Sequence, residues 1–458
     1  MAQAYPNRGV KFNSAISTLF LLLLFLIIPS RITAECYTSI FAFGDSLTDV
    51  GNRVILSDDP SNLHMAYPPY GETFFHYPTG RCSDGRLIID FIAEYYGLPY
   101  MPPSAAVMMN GSINGSDIEG GVNFAVAGAA TVDSAFYEER GINNPNTNNS
   151  LRVQVGWLKE LLPVFCGTPS ECKERLKSTL FVVGPFGSND YRNGLSQGKD
   201  IDETRSYVPI VIGAISDAIN DLIELGAKTI MVPNTSPDGC LASVLTDFES
   251  SNKVDYDRDT GCLNWMNELD DYHNQHLQRQ LDTIRYRNPG VDIIYADFYN
   301  ISMELYRYPE KHGFVRSLAS CCGVGGKYKF NDDVRCGDIE VKSCPEPWIH
   351  IEWDGYHMTE RANKLVSMAL LDGTRSGPSG GNLFTFTTAP GEKLTLNLSK
   401  CCLLFILVCI FSNPRKLTPS ELLMFEKRSN TVSTKLSIDG LEMAICYDRR
   451  TDKKNYKD

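Results

Sequence analysis

The sequence predicts a doubly wound α/β fold with a mostly parallel central sheet, because five short, almost wholly apolar runs alternate with longer amphipathic stretches. Runs without polar alternation suit strands buried on both faces. Composition agrees: 43% hydrophobic and 21% charged residues over 458 positions are globular values, which exclude collagen, coiled coil, wholesale disorder and a multi-span membrane protein.

Residues 1 to 34 stand outside that fold. A polar start carrying Arg8 and Lys11 runs into the apolar stretch Ala15 to Pro29, which suits a signal-peptide core and is short for a spanning helix. Cleavage is expected after Ala34. The first strand is Ser39-Ile-Phe-Ala-Phe43, followed by a helix over 84 to 96 in which Leu87, Ile88, Phe91, Ile92 and Tyr95 recur at helical spacing. Strands at Val122 to Ala127, Thr179 to Val183, Lys228 to Val232 and Val291 to Tyr295 alternate with helices over 151 to 164, 203 to 225 and 264 to 287. The helix over 203 to 225 ends at Gly226, a plausible C-terminal cap. A last helix begins near Thr359, which can cap it, and presents Ala362, Leu365, Val366, Ala369 and Leu370 on one face. The folded domain is therefore expected over 35 to 373. Residues 374 to 458 are read as a poorly ordered extension, with a membrane-associating tail as the alternative; their apolar run from Cys401 to Phe411 is too short to span a bilayer comfortably.

Charge is unevenly placed. Residues 35 to 374 carry 27 Lys+Arg against 47 Asp+Glu, and so acidic a body repels phosphate backbones, which argues against nucleic-acid binding. Ten of the 14 cysteines fall between Cys36 and Cys344, an even number that can pair fully in an oxidising compartment. Spacing suggests local loops for Cys166 with Cys172 and Cys336 with Cys344, while the connectivity stays open. No zinc-type Cys-x-x-Cys pairs occur, so disulfides are preferred to a metal site. Glycosylation sequons start at Asn110, Asn114, Asn148, Asn234, Asn300 and Asn397. Leader, cysteines and sequons together point to a secreted glycoprotein, in the apoplast or alternatively the vacuole.

In doubly wound sheets the chemistry lies beyond the carboxyl ends of the strands. Directly after the first strand comes Phe43-Gly-Asp-Ser-Leu-Thr-Asp-Val-Gly-Asn52, which places Ser46 at that mouth. Taken alone, such a serine is more often a helix cap. In Trp353-Asp-Gly-Tyr-His-Met-Thr-Glu360, Asp354 and His357 are spaced so that the carboxylate can hold one imidazole nitrogen and leave the other facing a nucleophile. A surface turn capping the next helix explains that motif equally well by itself. Gly128, after the second strand, can offer a backbone N–H to a developing oxyanion, and Asn189, in Gly187-Ser-Asn-Asp190 after the third, a side-chain N–H. Each alone is a turn former. Together they supply a nucleophile, a base with its orienter, and two donors.

This arrangement resembles the plant GDSL esterase/lipase family within the wider SGNH hydrolases. The likeness covers about residues 36 to 372 and rests on five ordered blocks: Gly-Asp-Ser-Leu-Thr-Asp-Val-Gly-Asn, Asn123-Phe-Ala-Val-Ala-Gly-Ala129, Gly-Ser-Asn-Asp, Cys321-Cys-Gly-Val-Gly-Gly326 and Trp-Asp-Gly-Tyr-His. Tyr67-Pro-Pro-Tyr-Gly-Glu-Thr-Phe74 and Gly80-Arg-Cys-Ser-Asp-Gly-Arg86 look most like the subgroup containing sinapine esterase and acetylajmalan esterase. The resemblance implies a flavodoxin-like three-layer α/β/α fold. It implies Ser46 as nucleophile and, through its own N–H, oxyanion donor, Gly128 and Asn189 as the other donors, His357 as base and Asp354 as orienter, with no metal or organic cofactor. Val126-Ala127 and Ser188 stand where the family often has small residues or glycine, and are expected to alter pocket shape and the tilt of Asn189.

The favoured activity is hydrolysis of a small-molecule or lipid carboxylic ester through an acyl-enzyme on Ser46. An acyltransferase would use the same residues, and a binding or storage protein with a vestigial site is the third class. Oligomeric state is not readable. Two decoys are set aside: Gly377-Pro-Ser-Gly-Gly381 matches a nucleophile elbow but follows a helix, and His273 with His276 share a helix face without further metal ligands in a pattern. Tyr67-Pro-Pro-Tyr70 is read as an ordered loop, with a wall of the substrate site as its other role.

Overall fold

The computed structural model describes residues 37 to 109, 118 to 143 and 147 to 371, together with four strands nearer the C-terminus. The leader, Cys36, the sequons at Asn110, Asn114 and Asn397, the Gly377 decoy and the Cys401 run lie outside the described residues. The chain divides into two units, Glu35–Asn397 and the two ends, Met1–Ala34 with Leu398–Asp458.

In the larger unit five strands form one parallel sheet: β1 Ser39–Phe43, β2 Gly121–Asn123, β3 Thr179–Val183, β4 Thr229–Pro233 and β5 Asp292–Ala296, in the order β2-β1-β3-β4-β5. β1 is buried along its whole length, and its alternate side chains feed two separate cores. Phe41 and Phe43 join Phe181, Val183, Ile230 and Val232 on one face, under helices α3 (Leu151–Cys166), α5 (Val208–Leu225) and α6 (Asn264–Arg287). Ile40 and Ala42 join Leu180, Val182 and Met231 on the other, under α2 (Ile88–Tyr95), α7 (Phe298–Arg307) and α8 (Glu360–Leu371). Helices on both faces of a parallel sheet make the expected three layers. The remaining helices needed below are α1 (Asn52–Ile55) and α4 (Ser188–Leu195).

Boundaries moved for identifiable reasons. The helix expected over 203 to 225 is two, Ile201–Ser206 and α5, because Pro209 has no N–H to continue the first into the second. α5 does stop at Gly226, whose N–H reaches Leu222 O and Ile223 O at φ 121°. α2 starts at Ile88, later than expected, where Asp90 accepts the Leu87 N–H at 2.9 Å. β2 ends at Asn123, yet Phe124 and Val126 still donate to Ala42 O and Gly44 O at 2.7 and 3.1 Å, so this segment follows β1 outward. In residues 374 to 458 the structure describes two antiparallel strand pairs, Phe386–Thr388 with Glu392–Leu394 and Thr431–Ile438 with Leu441–Asp448.

Four disulfides are described: Cys166–Cys172, Cys240–Cys262, Cys321–Cys344 and Cys322–Cys336. The first matches the spacing argument. The expected Cys336 to Cys344 loop does not form, because the adjacent Cys321 and Cys322 each take one of these partners. Cys82 is buried and free. Among the described sequons, Asn148 and Asn300 are exposed. Asn234 must be withdrawn as a glycan site: it is 1% exposed, and its Nδ2 donates to Tyr295 Oη at 2.7 Å and Asp297 Oδ1 at 3.1 Å. No helix among the described residues is long and apolar enough to cross a membrane.

Candidate active site

The strand order reverses at β1, from which the chain runs outward to β2 and then back to β3, and a crevice opens beyond the carboxyl ends of such neighbours. The loops after β1 and β2 carry Ser46 and Gly128, and the first turn of α4, which follows β3, carries Asn189.

The turn after β1 is built tightly. A Cβ on Gly44 would stand 2.8 Å from Thr48 Cβ and 3.1 Å from Gly184 O, so glycine is required by the close approach. Gln154 of α3 clamps this residue from both sides, accepting the Gly44 N–H at 3.0 Å and donating to Gly44 O at 2.9 Å. Thr48 N and Asp49 N donate to Asp45 O at 3.1 and 2.9 Å, which curls the chain around Ser46. Asp49 then accepts N–H groups of Gly51, Asn52 and Arg53 at the start of α1, and that of Ala127 at 2.8 Å. Asn52 Nδ2 donates to Asn123 O and Ala125 O at 2.8 and 2.9 Å. The serine block is thereby fastened to the loop that carries Gly128.

His357 arrives from the far end of the domain. Trp353 N donates to His357 O at 2.7 Å and closes a tight loop whose Gly355 has φ 98°; a Cβ there would lie 2.4 Å from the Phe330 ring. Asp354 Oδ1 accepts the N–H groups of Tyr356 and His357 at 2.9 and 3.0 Å, and Oδ2 lies 2.7 Å from His357 Nδ1. Across the crevice, His357 Nε2 is 2.8 Å from Ser46 Oγ. Burial works to raise the Asp354 carboxyl, but the charge and hydrogen bond of His357, with the other donors, hold it below the usual carboxylate range. His357 keeps 14% of its side chain exposed and Asp354 5%, so the carboxylate is the more deeply enclosed of the two.

Asn189 stands in the first turn of α4, and its Nδ2 donates to Ala129 O at 3.0 Å and approaches Asp45 Oδ2 at 3.4 Å. It thus reaches the immediate neighbours of both Gly128 and Ser46. Among the described residues neither the Ser46 N–H nor the Gly128 N–H has a hydrogen-bond partner. Asp190 holds the next turn in place by accepting from Thr131 N, Thr131 Oγ1, Val132 N and Tyr137 Oη. All five residues singled out from sequence are therefore gathered around one crevice. The arrangement offers a hydroxyl hydrogen-bonded to an imidazole, a carboxylate behind that imidazole, and donors beside the hydroxyl, the parts that acyl transfer needs.

Other expectations need amendment. Val126 and Ala127 are buried, Val126 in the same core as Phe41 and Phe43. In the Tyr67 to Tyr70 loop, Tyr67 is 41% exposed, but Tyr70 turns inward and its hydroxyl donates to Asp354 Oδ2 at 2.8 Å. His273 and His276 point into different surroundings: His273 is buried with Nδ1 2.6 Å from Tyr191 Oη, and His276 lies against the Tyr272 ring. Burial, then the charge of His276, lowers His273 to about 3. Asp49, Asn52, Gln154 and Asp190 were not assigned roles from sequence, and Tyr70 was read only as part of an ordered loop or a wall of the substrate site. Gln154 had left a signal, as a polar residue on the apolar face that Leu151, Val155 and Leu158 define.

The family model described as GDSL-like lipase/acylhydrolase matches residues 40–370. A GDSL esterase/lipase of Arabidopsis thaliana is 49% identical over 366 residues, 79% of this chain and 91% of the relative. Another from the same plant is 46% identical over 362 residues, 78% and 88% of the two chains. Sinapine esterase of Brassica napus is 46% identical over 356 residues, covering 77% and 90%.

Proposed function

Since the chain belongs to the GDSL-like lipase/acylhydrolase family, and with it to the carboxylic ester hydrolases, we propose that it works through an acyl-enzyme on Ser46. The observation that carries this reading is the 2.8 Å contact between Ser46 Oγ and His357 Nε2, with Asp354 2.7 Å behind the other ring nitrogen. His357 takes the hydroxyl proton as Ser46 Oγ attacks the ester carbonyl. The oxyanion is received by the Ser46 and Gly128 N–H groups and by Asn189 Nδ2, which turns from Ala129 O to do so. Collapse of this intermediate expels the alkoxide, which takes the proton from His357. Water, deprotonated by the same imidazole, then attacks the acyl carbonyl; collapse of this second intermediate breaks the bond to Ser46 Oγ, which takes the proton back from His357 as the carboxylic acid leaves.

The relative named sinapine esterase makes sinapine the first ester to try. Secretion is part of the proposal, supported by the leader and the four disulfides, with Asn148 and Asn300 as the described sequons open to glycan. Residues 35 to 373 are proposed as the hydrolase domain. A serine-directed fluorophosphonate tests the mechanism: labelling found by peptide mass at Ser46 and lost in Ser46→Ala supports it. A folded protein that takes no label sinks it.

A further inference from the structure

Asp354 Oδ2 receives donors from two sides, His357 Nδ1 at 2.7 Å and Tyr70 Oη at 2.8 Å, the latter from a loop 284 residues away in sequence. Tyr70 is 5% exposed, and Asp354 is the hydroxyl's hydrogen-bond partner. Its ring is fixed edge-on to Trp353, with centroids 6.0 Å apart, in a small core shared with Cys321, Cys322, Cys336 and Val341. Two disulfides, Cys321–Cys344 and Cys322–Cys336, therefore enclose the ring. Behind it the chain is pinned by Gly71 N donating to Ser83 O at 3.0 Å. Cys322 N donates to Trp353 O at 2.7 Å, so one disulfide-bonded segment holds both Tyr70 and the loop bearing Asp354.

We infer that Tyr70 is a positioning residue of the hydrolytic site, its hydroxyl setting the plane of the Asp354 carboxylate so that Oδ2 faces His357. The inference rests on the proposed roles of Ser46, His357 and Asp354. A phenylalanine would fill the same space, so packing alone does not call for the hydroxyl, and a buried hydroxyl is costly unless paired. Backbone N–H groups fix only Oδ1. Oδ2 can be held square to the imidazole by Tyr70, whose ring is anchored in the disulfide core with Trp353. Burial, with the Asp354 charge, pushes the Tyr70 phenol well above its ordinary value, so it stays a donor.

The test compares wild type, Tyr70→Phe, Asp354→Asn and the double variant on p-nitrophenyl acetate, with active sites counted by fluorophosphonate taken to completion. Counting sites removes any loss from misfolding. Tyr70→Phe is expected to lower kcat on the order of tenfold with KM within about twofold, and to cost nothing further in the Asp354→Asn background. Unchanged kcat, a loss confined to KM, or an equal loss in both backgrounds would overturn the inference. Wild-type labelling at Ser46 in the same experiment keeps the proposed mechanism standing whichever way Tyr70 falls.

Discussion

Asp45 and Glu352 sit beside the two residues on which the site depends, one before Ser46 and one two before Asp354, and both are fully buried acids. Burial pushes Asp45 up to about 7 against the Leu47 N–H and the His357 charge. Glu352 goes from 4.5 to about 8, by burial and by the charges of Asp354 and Asp238, against the bond from Tyr306. Among the described residues Glu352 Oε2 has no hydrogen-bond partner, whereas Oε1 takes the Tyr306 hydroxyl. Folding therefore favours the protonated acid, and stability is lost as pH rises from the unfolded value through about 8. Glu352→Gln, which keeps the shape of the neutral form, should leave unfolding unchanged near pH 4.5 and add about 1–3 kcal/mol near pH 8.5. Urea titrations at the two pH values check this, and equal effects at both would refute it. The candidate site residues were legible because Ser46, Gly128 and Asn189 stand in short blocks that follow strands, and Asp354 and His357 share one short block before the last helix. Glu352 and Asp45 were not singled out, since nothing local marks an acid as buried.

At the level of elements, the site depends on how helices grip the loops beyond the strand ends. Gln154 joins α3 to the first turn through Gly44 and also donates to Asn149 O at 3.1 Å, so one side chain ties a 16-residue helix to the segment bearing Ser46. Gln154→Leu retains the bulk and leaves the Gly44 groups unpaired, which should cost about 1–3 kcal/mol in unfolding. A concurrent fall in kcat would show that the turn needs the clamp; full activity in a destabilised protein would confine Gln154 to stability. Helical periodicity predicted α3 and α6 nearly to the residue because apolar residues recur at helical spacing along their whole length, despite Gln154 in one and Asn267, Asp270, His273 and Asn274 in the other. It missed the break at Tyr207, since apolar spacing is continuous across Pro209 and only the missing N–H divides the helix.

For the whole molecule, the Cys321 to Cys344 segment is a covalent brace outside the sheet. Its backbone supports the site directly, Cys321 N donating to Glu352 O at 3.0 Å and Cys322 N to Trp353 O at 2.7 Å. Cys322 and Cys336 close a loop of sequence separation 14. Replacing both by alanine should lower stability by about 3 kcal/mol on the loop-entropy model. Because the same segment holds Tyr70 and Trp353, turnover per titrated site should fall as well. Denaturant midpoints and site-normalised kcat measure the two effects separately. An unaltered kcat would mean that the sheet and α8 hold the Asp354 loop without the brace.

From sequence alone came the parallel strands, most of the flanking helices, and Ser46, Gly128, Asn189, Asp354 and His357 as candidates for one site. Apolar periodicity and strand-end motifs are local, and local patterns are what a sequence displays. Only the tertiary structure decided which distant segments meet: Ser46 with His357 across 311 residues, Tyr70 with Asp354 across 284, and Cys321 and Cys322 with Cys344 and Cys336 in place of the nearer pairing. It also decided that Asn234, a sequon like the others, is enclosed between Tyr295 and Asp297. Such contacts follow from strand order and from which face each chain crossing covers, and burial is a property of those neighbours rather than of the residue itself.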